Sequence, residues 1–176
     1  MNRAPLRIAT ITLSDTRTQA DDESGRVLGE LLQAAGFAIA SHTILREDPD
    51  LLRETISLSC GDRGIDAIVT TGGTGLAPRD RTIETLQGMF EKTLDGFGEA
   101  FRRMSWDAIG PNAILSRAAA GVVRRKLVVA LPGSTNAVRL AVTELLAPTL
   151  AHAVALASGA GGAAASHGSG HKKGAT

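Results

Sequence analysis

Residues 66–75 read Asp-Ala-Ile-Val-Thr-Thr-Gly-Gly-Thr-Gly, an apolar run that opens directly into three glycines. Asp66 to Thr71 has the length and β-branched content of a strand, and Gly72 to Gly75 has the composition of a loop. Working outward, Leu6 to Leu13 is a second short apolar run, read as a strand buried on both faces. Ser24 to Ala35 carries Val27, Leu28, Leu31 and Leu32 at helical spacing, and Gly36 supplies a stop. Phe37 to Leu45 is a further strand. Asp48-Pro49 reads as an N-cap followed by proline at the first helical position, with Leu51, Leu52 and Ile56 continuing the helix. Beyond the loop, Thr82 to Met89 and Gly96 to Ile109 read as helices, and Asn112 to Ala120 is ambiguous. Gly121–Val123 and Leu127–Leu131 suggest a hairpin around Arg124-Arg125-Lys126. A helix follows from Thr135 to about Leu146, and Pro148 opens a last one to about Ala157. Strands alternating with helices predict an α/β protein with a mostly parallel sheet and helices on both faces. Ligands then belong beyond the strands' carboxyl ends, at the loops after Leu13, Thr71 and Leu131.

Length and composition narrow the partners. The 176 residues suffice for one domain with a real core but not for two ordinary ones. We read residues 1–157 as that domain and 158–176, rich in Gly, Ala, Ser and His, as a disordered tail. Lys and Arg total 19 against 18 Asp and Glu, which removes the electrostatic case for nucleic acid or an anionic membrane. No apolar run approaches the ~20 residues of a bilayer span, and residues 1–5 lack a signal-peptide stretch. With Cys60 as the single cysteine, no intrachain disulfide can form. The expected location is cytoplasmic. Aromatics make up 3%, too few for a stacking platform for single strands.

The Thr71–Gly75 loop is the best candidate site. Glycines let backbone amides approach a ligand, successive N–H groups form an anion nest, and Thr71 and Thr74 add hydroxyls. A helix beginning near Thr82 would turn its positive end to the same anion. No Gly-Lys-Ser/Thr follows and the third glycine of a dinucleotide fingerprint is missing, so neither phosphate motif is present. Asp80 fits an anion site if Mg²⁺ mediates, or else caps the Thr82 helix. Asp48 faces the same choice. Leu131-Pro132-Gly133-Ser134 repeats the strand-end pattern, as a second binding loop or a helix cap. Glu99 is a base, a ligand or an ordinary first-turn acid. Trp106 suits core or interface packing, and Cys60 is read as inert. No G-x-S-x-G, H-E-x-x-H or C-x-x-C occurs.

Taken together, Thr70-Thr71-Gly72-Gly73-Thr74-Gly75 with Arg79-Asp80, Gly96-Phe97-Gly98-Glu99, Leu115-Ser116-Arg117-Ala118 and Leu131-Pro132-Gly133-Ser134 resemble the MoaB/MogA family of molybdenum cofactor biosynthesis proteins. The gephyrin G domain is similar too. Ser14-Asp15 and Asp21-Asp22-x-Ser24-Gly25 look like the MoaB branch. The resemblance spans roughly residues 5–157 and implies a three-layer α/β/α sandwich assembled as a homotrimer or homohexamer. It implies Mg²⁺-dependent adenylylation of molybdopterin by ATP, with transfer of the product to a molybdate-inserting partner. It would place Thr71 to Gly75 on the pterin's terminal phosphate and Pro132, Gly133 and Ser134 on the pterin side. Asp80 would match the family's essential acid and hold Mg²⁺ or orient the nucleotide, and Asp48 would match a second important acid. Ser14 and Asp15 would lie near the nucleotide. Glu99, Ser116 and Arg117 match family motifs without an assigned role. The alternative within the same family is a non-catalytic molybdopterin carrier.

Overall fold

A computed structural model describes residues 4–160. Six strands form one sheet in the order β2-β1-β3-β6-β5-β4. They are β1 (Arg7–Leu13), β2 (Ala38–Leu45), β3 (Ala67–Thr71), β4 (Lys92–Thr93), β5 (Ala119–Val123) and β6 (Lys126–Leu131). The first three and β6 pair in parallel, and β5 and β4 complete the sheet antiparallel to their neighbours. The helices are α1 (Glu23–Ala34), α2 (Pro49–Gly61), α3 (Thr82–Gln87), α4 (Asp95–Ile109), α5 (Thr135–Leu140) and α6 (Ala147–Ser158). A 3₁₀ segment, Gly110–Leu115, occupies part of the ambiguous stretch. The hairpin expected around residues 124–126 is β5–β6. The two-residue β4 escaped the sequence reading because its Lys-Thr carries no periodic signal.

Side-chain alternation along the central strands builds two cores. On one face Ile8, Ala67, Val69, Leu127, Val129 and Leu131 meet α1, α4, α5 and α6 through Leu28, Phe101, Val138 and Leu150. On the other, Ala9, Ile11, Ile68, Val128 and Ala130 meet α2 and α3 through Leu52, Ile56, Ile83 and Leu86. The result is the α/β/α sandwich, with each fully buried Leu or Ile contributing about 1.5–3 kcal/mol.

Two expectations change. Helices expected on either side of Pro148 form one helical path from Thr135 to Ser158, joined by a π segment, Ala141–Leu146. The Ala147 N–H reaches back five residues to the Val142 carbonyl. That wider turn accommodates a proline whose ring would clash with the carbonyl four residues earlier in a regular helix. This path is long and apolar enough to cross a bilayer by length and composition, contrary to the sequence expectation. Its Val138, Val142, Leu146, Leu150 and Val154 nevertheless pack on the sheet, as in a core helix. From residue 161 onward the expected tail lies outside the described residues.

Strand order places the site. The chain runs from β1 outward to β2, then returns to place β3 on the opposite side of β1. The connections therefore diverge between β1 and β3, opening a crevice at their carboxyl ends.

Candidate functional site

At that switch point lies a cavity of about 400 Å³. Leu13, Ser14 and Arg17 line it from β1's side, Thr71 to Gly75 from β3, Pro132 and Gly133 from β6, and Ser116 and Arg117 from the segment before β5. Glu47 and Asp80 contribute carboxylates. The three loops named from the sequence thus meet, with Ser116 and Arg117 between them.

The glycine loop is held by specific bonds. Gly72 has φ 98°, and a Cβ there would overlap the Leu13 carbonyl oxygen, so the turn needs glycine. The Gly72 amide is taken by the Leu131 carbonyl at 3.1 Å, and the Gly73 carbonyl accepts from Thr82 N. The Thr71 hydroxyl donates to the Pro132 carbonyl at 2.9 Å, tying the β3 and β6 loops together. Its expected place as a donor to a ligand is thereby filled. Thr74 is buried and lines the cavity. The amides of Gly73, Thr74 and Gly75 find no acceptor among the described residues. Three successive N–H groups in residues lining one cavity are thus left without a protein acceptor, the donor set that an anion nest requires. The helix contribution expected beside it falls away, because α3 has only six residues and its first amide bonds Gly73.

Arg117 braces this loop. It donates to the Gly75 carbonyl at 3.0 Å and forms a close ion pair with Glu84. Burial pushes the Glu84 carboxyl up, but the Arg117 hydrogen bond, a backbone hydrogen bond and the charges of Arg117 and Arg81 together outweigh it and hold the group below its usual value. Asp80 accepts from the Ala77 amide at 3.0 Å within the loop. The position that caps α3 is Arg81, so Asp80 is not the helix cap that its sequence position allowed.

The other expected residues divide. Asp48 caps α2, accepting from Asp50 N at 2.8 Å and Leu51 N at 3.1 Å; these two bonds lower its pKa. It is exposed and lines only a narrow side crevice. Its neighbour Glu47, which the sequence reading missed, lines the main cavity instead. Burial, then the charges of Asp80 and Asp15, push the Glu47 carboxyl above its ordinary value, while Arg79 pulls it back. Asp15 lies outside the lining; it pairs with Arg79 at 2.8 Å and accepts from Glu47 N at 3.2 Å. The Ser14 hydroxyl accepts from Thr16 N and Arg17 N, shaping the loop after β1. Glu99 is exposed on α4 and lines neither this cavity nor the cleft beside it.

That cleft, of about 430 Å³, lies between α4 and α5. Phe101, Ile109 and Leu140 give it an apolar wall, and Ser134, Asn136 and Arg139 a polar one. Ser116 and Pro132 line both spaces, so the two adjoin on the β6 side. Ser134 also caps α5, accepting from Ala137 N at 3.3 Å, as the cap reading of its sequence position expects, and it lines the cleft. Trp106 is 52% exposed, which removes the core reading.

Fold and site define an α/β protein with a cavity lined by three acceptor-free amides at its switch point and an apolar cleft beside it. The model of the probable molybdopterin binding domain matches residues 9–152. The chain belongs to this molybdenum cofactor biosynthesis family. It is 45% identical over 150 residues to molybdenum cofactor biosynthesis protein B of Bacillus subtilis, covering 85% of this chain and 88% of that one. A crystal structure of a molybdenum cofactor biosynthesis protein B superposes with a TM-score of 0.85 at 40% identity, over 87% of this chain and 96% of that one. The tungsten cofactor synthesizing protein MoaB from Pyrococcus furiosus superposes with a TM-score of 0.80 at 32% identity, over 89% and 99%.

Proposed function

We propose that this protein adenylylates molybdopterin, using ATP and Mg²⁺. The observation that carries the reading is the run of three acceptor-free amides at Gly73, Thr74 and Gly75, beside an apolar cleft of about 430 Å³. The cleft between α4 and α5 takes the pterin, with Ser116, Pro132 and Ser134 at its mouth. The nest takes the terminal phosphate, and the nucleotide enters from the β1 side past Ser14. An oxygen of the pterin phosphate attacks the ATP α-phosphorus. The new P–O bond forms as the bond to the β-phosphate oxygen breaks, and pyrophosphate departs with that electron pair. Reaction between two anions needs alignment and charge neutralisation more than a protein nucleophile.

Mg²⁺ fits the available groups. Asp80 keeps one carboxylate oxygen without a partner among the described residues, and Glu47 faces the same cavity. Among the described residues no three His, Cys, Asp or Glu side chains are gathered to hold a metal. Magnesium is commonly held by one or two carboxylates together with substrate phosphates, which suits such a site. Bound there, it would neutralise developing phosphate charge. Arg117 keeps the nest in shape, and Asp15 anchors Arg79 and the Glu47 backbone. The exposed Trp106, Ile109, Ile114 and Leu115 near α4 suit a contact between copies, in line with a homo-oligomer.

The carrier reading draws on Asp48, which caps α2 and leaves one expected acid outside the cavity. Turnover of ATP plus purified molybdopterin with Mg²⁺, in wild type and Asp80→Asn, separates the two. Adenylyl-molybdopterin made by wild type and largely lost in the variant supports the transferase. Pterin binding without product, with a reference enzyme active in parallel, leaves the carrier.

A further inference from the structure

Two arginines line the cavity, and they are held very differently. Arg117 is committed to Gly75 and Glu84. Arg17 is not: its guanidinium makes one long hydrogen bond to the Asp21 carbonyl, at 3.5 Å, and lies 3.9 Å from Asp22. A guanidinium carries five N–H donors in a planar fork. Most of those on Arg17 have no acceptor among the described residues, and its side chain is 38% exposed. The loop beneath it is nonetheless well fixed. Arg17 N donates to Ser14 Oγ at 3.2 Å, and Asp21 accepts from both the amide and the hydroxyl of Thr18. Asp22 is tied down by Thr12, His42 and the Gly25 amide. A well-fixed loop therefore carries into the cavity a cation most of whose donors lack an acceptor among the described residues.

Its side of the cavity identifies its ligand. The apolar cleft adjoins the cavity at β6, whereas Arg17 comes from β1, across β3. In-line displacement places the leaving group opposite the nucleophile. With the pterin phosphate entering from β6 and held over the β3 nest, the departing phosphates lie towards β1. We propose that Arg17 binds the β- and γ-phosphates of the nucleotide, the part released as pyrophosphate, with Asp22 as its positioning residue. This rests on the adenylyltransferase reading.

The test is calorimetric titration with Mg-ATP, inorganic pyrophosphate and AMP, on folded protein verified by thermal midpoint. Loss of a charge-assisted fork is expected to weaken Mg-ATP and pyrophosphate about 10- to 100-fold in Arg17→Ala. AMP affinity stays within about twofold, on the same reasoning about which phosphates Arg17 meets. Arg17→Lys keeps charge but not the fork and recovers part of the loss. Arg26→Ala, on the exposed face of α1, leaves all three unchanged. Asp22→Asn weakens pyrophosphate in the wild-type background but not in Arg17→Ala, a dependence that a purely structural role would not produce. Unaltered pyrophosphate affinity in Arg17→Ala overturns the assignment while leaving the transferase standing. Wild type that binds neither Mg-ATP nor pyrophosphate overturns the transferase and Arg17's role together.

Discussion

Asp22 joins β1, β2 and the start of α1 beside the loop that carries Arg17, so removing it should cost stability measurably. Its carboxylate accepts from the Gly25 amide at 2.9 Å, from Thr12 Oγ1 at 2.6 Å and from His42 Nε2 at 3.0 Å. Because a carboxylate only accepts, Nε2 carries the proton and Nδ1 is left to face Thr10 Oγ1 at 2.9 Å. In Asp22→Ala the lost N-cap of α1 costs about 1–2 kcal/mol. The Thr12 hydroxyl, in a residue 2% exposed, loses its buried acceptor for about 1–3 kcal/mol more. The sum, about 2–5 kcal/mol, is a large share of the ~5–15 kcal/mol that holds a domain together. At a urea m-value of about 2 kcal/mol/M the midpoint falls by about 1–2.5 M. Asp22→Asn should fall between, since its amide can still accept from Gly25. The pH dependence has a defined sign. Burial raises the Asp22 pKa, but hydrogen bonds from Thr12, Gly25, His42 and Ser24 outweigh it and depress the folded value. A depressed folded pKa means stability that is present above the unfolded value, near pH 4, and lost as pH falls through the folded one. Urea midpoints of wild type and Asp22→Asn should therefore converge below about pH 4. An Asp22→Ala midpoint within about 0.3 M of wild type, where the chosen m-value makes the difference under 1 kcal/mol, would refute the energetic reasoning. A gap independent of pH would refute the linkage.

Gly72→Ala should cost at least about 2 kcal/mol, from the positive φ and the overlap with the Leu13 carbonyl. It should also abolish molybdopterin binding; a folded variant with wild-type molybdopterin affinity counts against the nest. Arg124→Asn should stabilise by about 0.5–1 kcal/mol, because asparagine tolerates left-handed backbone better. Arg124 has φ 46° and its side chain gives up only a 3.4 Å contact to the Ser57 carbonyl. A lowered thermal midpoint would contradict this. Cys60 is buried, and burial pushes its thiol up despite Lys126 and Arg124, so labelling by a thiol reagent at pH 8 should proceed only on unfolding. Stoichiometric labelling of the native chain within seconds would exclude that account.

The legibility of this protein in its sequence depended on the range of the interactions involved. The strands, α1, α2 and the glycine loop announced themselves because period, caps and turn chemistry are local. Asp48 illustrates the limit of local reading. Its sequence context, Asp-Pro before an apolar run, correctly marked an N-cap, and the same capping bonds hold its carboxylate away from the main cavity. Glu47 carried no such mark. It faces the site because Asp15, thirty-two residues earlier, accepts its amide, and because β2 and β3 lie on opposite sides of β1. Arg17 was invisible for the same reason. Within Ser-Asp-Thr-Arg-Thr it is an ordinary surface cation; only the reversal of strand order sets its loop against the Thr71–Gly75 nest. Asp22 shows the intermediate case. The Asp-x-Ser-Gly pattern marks the start of α1, but its partners Thr12 and His42 come from adjacent strands whose pairing no spacing rule reveals. Local chemistry thus names the parts suited to phosphate, whereas the parallel pairing of β1 with β2 and β3 decides which side chains share their cavity. Substitutions along β1 that preserve its apolar pattern but disturb its register would therefore damage ligand binding before they unfold the sheet, since a one-residue slip turns Thr12 away from Asp22.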